Sequence, residues 1–220
     1  MANNLIGISL MSIPLWIFLI WYLREEKWTR EIALLAQSFG FSFTVNENWD
    51  SLSQYLSSFE FFFEGWSPRC YPIKNLMQGK KKKNNVMVFD FKYGPYDWTC
   101  RQTVIYLSPE AADLPVCQLT TKNLSQRITR KFVTQDINFD SYPIFSKRFL
   151  LQGPDEKKIR KAFGPEMIQF FEDNKLSCME SNGKALIFYR PEKRIKPGEI
   201  LDYIIKADKI TKLLGGEFGG

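Results

Sequence analysis

Nineteen consecutive uncharged residues, Leu5 to Leu23 ("LIGISLMSIPLWIFLIWYL"), constrain this chain more than any other feature. At about 1.5 Å per residue, a helix of that length reaches about 28 Å, close to the hydrocarbon thickness of a bilayer. Pro14 would kink a soluble helix but is tolerated in a membrane segment, and Trp16, Trp21 and Tyr22 supply aromatic side chains for the interface. Residues 1–23 are therefore predicted to be a transmembrane anchor in direct contact with the lipid bilayer. "MANN" carries no basic residue and no small-x-small site follows the run, so retention is expected rather than cleavage as a signal peptide. Arg24, Lys27 and Arg30 follow the span, and the positive-inside rule then puts the N-terminus outside and the folded part in the cytoplasm.

The remaining chain has the 45% hydrophobic content of a folded domain. It contains no histidine, which removes Ser-His and Cys-His nucleophile pairs, histidine metal ligands and an imidazole proton switch. Cys70, Cys100, Cys117 and Cys178 are too widely spaced for a zinc cage. They are expected as thiols in a reducing compartment, with one or two disulfides the outcome if the domain were exported. The net charge of +6 falls to 6 − 4 = +2 without Lys80, Lys81, Lys82 and Lys83, so no broad nucleic-acid surface is indicated.

Hydrophobic periodicity predicts an α+β domain over 24–214, a mostly antiparallel sheet covered by amphipathic helices, followed by a flexible tail at 215–220. Two packed halves, about 24–121 and 136–214, are the alternative division. "EEKWTREIALLAQSFGF" continues the membrane helix as far as Gly40, and "NENWDSLSQYLSSFEFFFEGW" reads as a second helix capped by Asn48 or Asp50. From Val86 the period changes to two. "VMVFDFKY", "GPYD" and "WTCRQTVIYL" predict a hairpin in which Tyr93 faces Trp98, Val88 faces Thr103, and Asp90 faces Arg101 as a structural ion pair. "LPVCQLTTK" and "FSKRFLLQG" read as strands, "PDEKKIRKAF" as a helix capped by Asp155, and Gly164-Pro165 as the start of another helix. "KLSCMES-NG-KALIFYR" predicts a hairpin turning on Asn182-Gly183. The closing helix is expected to pack Ile200, Leu201, Ile204, Ile205 and Leu214 on the sheet and to carry Asp202–Lys206 and Asp208–Lys212 pairs.

The segments "VFDFKY", "RQTVIYL", "FDSYPIFSKRFLLQGPDEKKIRKAF" and "KPGEIL" resemble a family of bacterial single-pass membrane-anchored proteins of unknown function. The resemblance spans about Phe89 to Leu214. It is most specific over Asp136 to Phe163, where "D-I-x-F-D" precedes "P-x-F-S-x-R-[FY]-x-L-x-G-x-D-E". It implies an architecture and transfers no site.

No cofactor loop is present: "GKKKKNN" lacks the second glycine and the G-K-[ST] ending of a phosphate loop. Asp136, Asp140, Asp155 and Glu156 lack calcium-loop spacing, so no metal site is predicted and no catalytic residue is assigned. Lys80 to Lys83 read first as a solvated loop and second as a contact to an anionic leaflet, where each lysine adds about 1 kcal/mol close to the surface. Nucleic acid is not expected, because no interleaved aromatic residues accompany the charge. The expected function is a non-catalytic interaction module tethered to the membrane and presenting a surface to a protein partner. The alternative is a membrane-associated enzyme or lipid-handling domain using carboxylate and lysine chemistry.

Overall fold

The structure, a computed structural model, describes residues 3–63, 73–93, 100–122 and 135–215, apart from the side chains of residues 3–14, Phe63, Tyr93 and Cys100. A long helix α1 (Asn3–Ser38) leads into strand β1 (Ser42–Glu47), helix α2 (Trp49–Leu56) and a 3-10 turn (Glu60–Phe63). Strands β2 (Ile73–Lys81), β3 (Asn84–Tyr93), β4 (Cys100–Pro109) and β5 (Val116–Thr121) follow. The last third comprises α3 (Pro143–Arg148), β6 (Phe149–Gln152), α4 (Glu156–Ala162), α5 (Pro165–Asp173), β7 (Cys178–Asn182), β8 (Leu186–Tyr189) and α6 (Ile200–Gly215). The described strands form one eight-stranded antiparallel sheet in the order β1-β2-β3-β4-β8-β7-β5-β6. The two stretches that could have been separate halves therefore share a sheet, joined where β4 pairs with β8.

Strict alternation sorts the strand residues into two cores. Met77, Val86, Val88, Ile105, Leu107 and Phe188 face Ile32 and Ala36 of α1, together with the apolar sides of α3 to α6. Leu76, Met87, Phe89, Phe91, Val104 and Ile187 face α2 and the 3-10 turn, where Phe59, Phe61 and Phe62 are buried. Glu180 on β7 ties that turn to the sheet by accepting hydrogen bonds from the Glu60 and Phe61 N–H groups at 2.6 and 3.1 Å.

Local chemistry explains the helix ends. Gly40 adopts φ +68° while the Phe41 N–H reaches the Ala36 carbonyl and the Gly40 N–H the Gln37 carbonyl, the Schellman closure expected of glycine after a helix. Asp155 caps α4 by accepting from the Lys158 N–H at 2.9 Å, and Gly164-Pro165 opens α5, both as predicted. α6 carries both predicted ion pairs, at 2.7 and 2.8 Å.

Among the described residues no helix is long and apolar enough to cross a membrane, and the side chains of Leu5 to Pro14, the first ten residues of the predicted span, lie outside them. Several other expectations are corrected. The second predicted helix stops at Leu56, and its Asn48 makes no side-chain cap; Glu47 instead accepts from the Asn48 N–H and the Ser51 hydroxyl. Lys80 and Lys81, expected in a solvated loop, instead end the strand Ile73–Lys81. The predicted strand "FSKRFLLQG" divides, because Pro143 starts a helical turn that buries Phe145 and only Phe149–Gln152 pairs with β5. In the first hairpin Asp90 lies opposite Thr103 and Val88 opposite Ile105, two residues away from the expected register. In the second, Asn182 pairs through its N–H with the Ala185 carbonyl and its Oδ1 takes the Lys184 and Ala185 N–H groups, so Gly183 and Lys184 make the turn. Leu201 and Ile205 are exposed, and Tyr203, Ala207 and Ile210 are buried instead. Of the predicted tail at 215–220, Gly215 still belongs to α6, and residues 216–220 and the "GPYD" loop lie outside the described residues.

Candidate functional site

Charge is concentrated where α1 crosses the sheet. β2 slips register between Lys74 and Met77, and Asn75 takes a left-handed backbone (φ +53°), a conformation asparagine tolerates better than most residues. Asn75 is 3% exposed and donates its Nδ2 to Asp90 Oδ2 at 2.9 Å. Asp90, itself 7% exposed, also accepts from the Thr103 hydroxyl at 2.7 Å, the Trp28 indole at 3.2 Å and the Arg194 guanidinium at 2.8 and 3.1 Å. Arg194 stacks over the Trp28 ring at 4.0 Å and reaches Glu25 at 2.7 Å. Glu25 uses its other oxygen to bind Arg101 at 2.6 Å, and Arg101 lies 5.5 Å from the Trp21 ring centre. Thr103 closes the network by accepting from the Ile195 N–H at 2.9 Å, which fixes the loop carrying Arg194.

This is a clamp, with two carboxylates and two arginines satisfying one another across α1, β3, β4 and the loop before α6. The predicted Asp90–Arg101 ion pair is not formed, because the register shift puts Lys92 opposite Arg101 and leaves Arg194 to neutralise Asp90. Glu25 bridges the two arginines in its place. A cavity of about 190 Å³ opens beside the clamp, lined by Glu25, Lys74, Asn75, Asp90, Arg101 and Arg194 among others.

At the other end of the sheet, on the α2 face, lies a groove of about 830 Å³. Its floor includes Met87, Tyr106 and Ala185, and its walls present Gln54, Ser58, Gln78, Asn85 and Ser108 with the ammonium groups of Lys80 and Lys184. Burial pushes the Tyr106 phenol above its ordinary value, opposed by its hydrogen bond with Ser108, so it faces the groove as a neutral group at neutral pH. No carboxylate lines this groove among the described residues. It therefore offers hydrogen bonds and positive charge, without the paired acid and base that proton transfer requires.

Lys80 and Lys81 belong to β2, and Lys82 and Lys83 form a tight turn with Lys82 at φ +56°. Lys80 pairs with the exposed Glu110 at 3.2 Å. Asn84 and Asp90 are six strand residues apart, so this tip lies about 20 Å from the clamp. Of the acidic quartet, Asp136, Asp140 and Glu156 line one open cavity, where Asp136 binds Lys122 at 2.7 Å and the Leu151 N–H at 3.2 Å and Glu156 pairs with Arg160 at 2.7 Å, while Asp155 caps α4. Among the described residues no group of three or more acidic or cysteine side chains is placed to hold a metal. Cys117 and Cys178 are buried thiols; burial, reinforced by the nearby Glu180 carboxylate, pushes Cys117 well above its ordinary range. Cys70 and the Cys100 side chain lie outside the described residues.

Sequence reasoning missed Glu25, Trp28, Asn75 and Arg194 as one site. Trp28 could be read only as part of an apolar stripe, and Arg194 is 104 residues from Asp90. The one local signal was Asn75, a polar residue interrupting the apolar side chains of "IKNLM". No family model, curated protein or solved structure matches this chain.

Proposed function

We propose that this chain is a membrane-tethered, non-catalytic interaction module whose sheet domain presents a polar groove to a protein partner at the cytoplasmic face. The observation that carries the tether is the run from Leu15 to Leu23, in which every large apolar side chain is exposed, by 43% to 70%. Among the described residues only Arg101, over the Trp21 ring, is seen against this run, and a contiguous apolar surface of that size calls for a lipid or protein environment. The clamp supports the same reading, since it begins at Trp21 and Glu25, where the apolar run ends, and fixes the helix rigidly to the sheet. Arg24, Lys27 and Arg30 beyond the run favour a cytoplasmic domain. The groove supports binding rather than turnover, because it has room for an extended polar segment and no carboxylate to act as a base.

The test is alkaline carbonate extraction of membranes from cells expressing the full chain. It is expected in the pellet, and a chain with Leu15, Ile17 and Leu19 replaced by lysine in the supernatant. A wild-type chain released by carbonate would overturn the tether.

A further inference from the structure

We propose that the small cavity beside Asp90 is a pocket for a hydroxyl-bearing phosphate ester of the glycerol phosphate class, offered by a lipid headgroup at the membrane surface. The placement of the ligand in the bilayer rests on the tether proposed above; the chemistry of the pocket does not.

Three observations define the ligand. The first is charge. Lys74, Arg101 and Arg194 line the cavity against Glu25 and Asp90, a balance of 3 − 2 = +1 with Lys92, which has an interaction of its own, set aside. The two carboxylates are already engaged by the two arginines, so the excess is positive and favours an anion. The second is an orphan. Asn75 is 3% exposed, and its Nδ2 is committed to Asp90, which fixes the amide orientation; its Oδ1 is buried with no hydrogen-bond partner. A carbonyl oxygen needs a donor, which a fully ionised phosphate cannot supply and a hydroxyl can. An anion carrying a hydroxyl satisfies both lysine charge and amide acceptor. The third is size and level. About 190 Å³ is the liquid volume of about six waters, enough for a glycerol phosphate group. The cavity also sits at Glu25, one helical turn beyond Trp21, whose ring Arg101 approaches. Aromatic side chains at the end of an apolar span mark the headgroup layer.

The experiment uses the full chain reconstituted in nanodiscs of phosphatidylcholine, doped with either phosphatidylglycerol or phosphatidylethanol, and reads the shift in melting temperature and the binding midpoint. Both dopants are anionic phosphodiesters, but only the first carries headgroup hydroxyls. A larger stabilisation by phosphatidylglycerol is expected. Lys74→Gln, at an exposed position, should weaken binding of both lipids by about fivefold while keeping the preference. Asn75→Gly, which keeps the left-handed backbone, should abolish the preference and leave the response to charge. Glycerol 3-phosphate added to undoped discs, or to detergent-solubilised chain, is the second arm. Stabilisation there with loss of preference in Asn75→Gly would support the pocket with a soluble ester as its source, and this arm reads the pocket even if the chain does not enter a bilayer. Equal responses to the two lipids, or no response in either arm, would overturn the proposal.

Discussion

The two ends of the sheet handle charge in opposite ways. Beside α1, the side chains of Asp90, Arg194, Glu25 and Arg101 are about seven-tenths to nine-tenths withdrawn from water and each is bonded to another member of the set. At the far end, Lys80 and Glu110 stay largely exposed at 66% and 53%, and the groove beneath is open and lined by neutral polar groups together with Lys80 and Lys184. The first arrangement suits a joint that must not move, since withdrawing one partner strands another in a poorly hydrated site. The second suits a surface that exchanges water for a ligand at little cost. The contrast also places the lysine tetrad about 20 Å from the end next to the apolar run, beyond the Debye length of about 8 Å at physiological salt. On the tether proposed above, electrostatic contact to lipid would fall to Lys74 and its neighbours rather than to the lysine tetrad.

The sharpest way to break this comparison is to remove the hub. Asp90→Ala leaves Arg194 buried against Trp28 with only Glu25 to neutralise it, and deprives Asn75, Thr103 and Trp28 of their acceptor. Losing one partner of a buried pair costs about 3–5 kcal/mol, and that loss is expected in chemical denaturation of the full chain in detergent. Removal of Glu110 at the far end is expected to cost less than about 1 kcal/mol. Similar losses at both ends would erase the distinction between joint and surface.

A second, smaller effect tests how closely α1 is seated at the far end of its contact with the sheet. A Cβ added at Gly79 would stand 2.3 Å from Phe41 Cδ1, so Gly79→Ala must push the ring that follows the Gly40 turn. The overpacking is expected to cost about 1–3 kcal/mol, and Gly79→Ala combined with Phe41→Leu should recover much of it. No recovery would mean that β2, rather than the ring, cannot adjust.

How far the sequence reaches is clearest in the two hairpins. In both, the register is displaced by two residues from the one that loop composition predicts. A displacement of one would have turned every side chain to the opposite face, whereas two leaves each on its own. Val86, Val88 and Asp90 therefore point to α1, and Met87, Phe89 and Phe91 to α2, as alternation alone requires. Alternation fixes parity; loop geometry fixes the step. The step was illegible because Gly94, Pro95 and Asp97 all favour a turn and so fit more than one loop length, and because Asn182 uses its side chain to hold the second turn instead of entering it. The α+β class, α4 with its Asp155 cap, and the ion pairs of α6 are local and were legible. The clamp was not, because its members come from four elements and the identity of each partner depends on that two-residue step.

Alkaline pH sharpens the comparison further. Burial holds the Tyr106 phenol in the groove above its ordinary value of 10.0 and the Cys117 thiol above its ordinary 9.0. Both acids ionise more readily in the unfolded chain. Stability is therefore full below about pH 9 and falls as pH rises past each unfolded value, by at most about 1.4 kcal/mol per pH unit for each group. Tyr106→Phe is expected to lessen the fall above pH 10, and an unchanged slope would show that the phenol is hydrated in the folded state.

The smallest expected effect concerns the most conspicuous charge in the sequence. Replacing Lys80 to Lys83 together by serine removes one exposed ion pair, worth about 0–1 kcal/mol, and leaves the tight turn in place. It should leave binding to vesicles of phosphatidylglycerol and phosphatidylcholine at 0.15 M salt, roughly physiological, essentially unchanged, while Lys74→Gln weakens it. The reasoning is geometric: α1 seats Trp28 at Asp90 and Phe41 at Gly79, so it runs along β2 towards the lysine tip and carries that tip away from Trp21. Weaker binding in the serine variant and an unaltered Lys74→Gln would reverse the two ends, putting the lysine hairpin at the lipid and the clamp in solution.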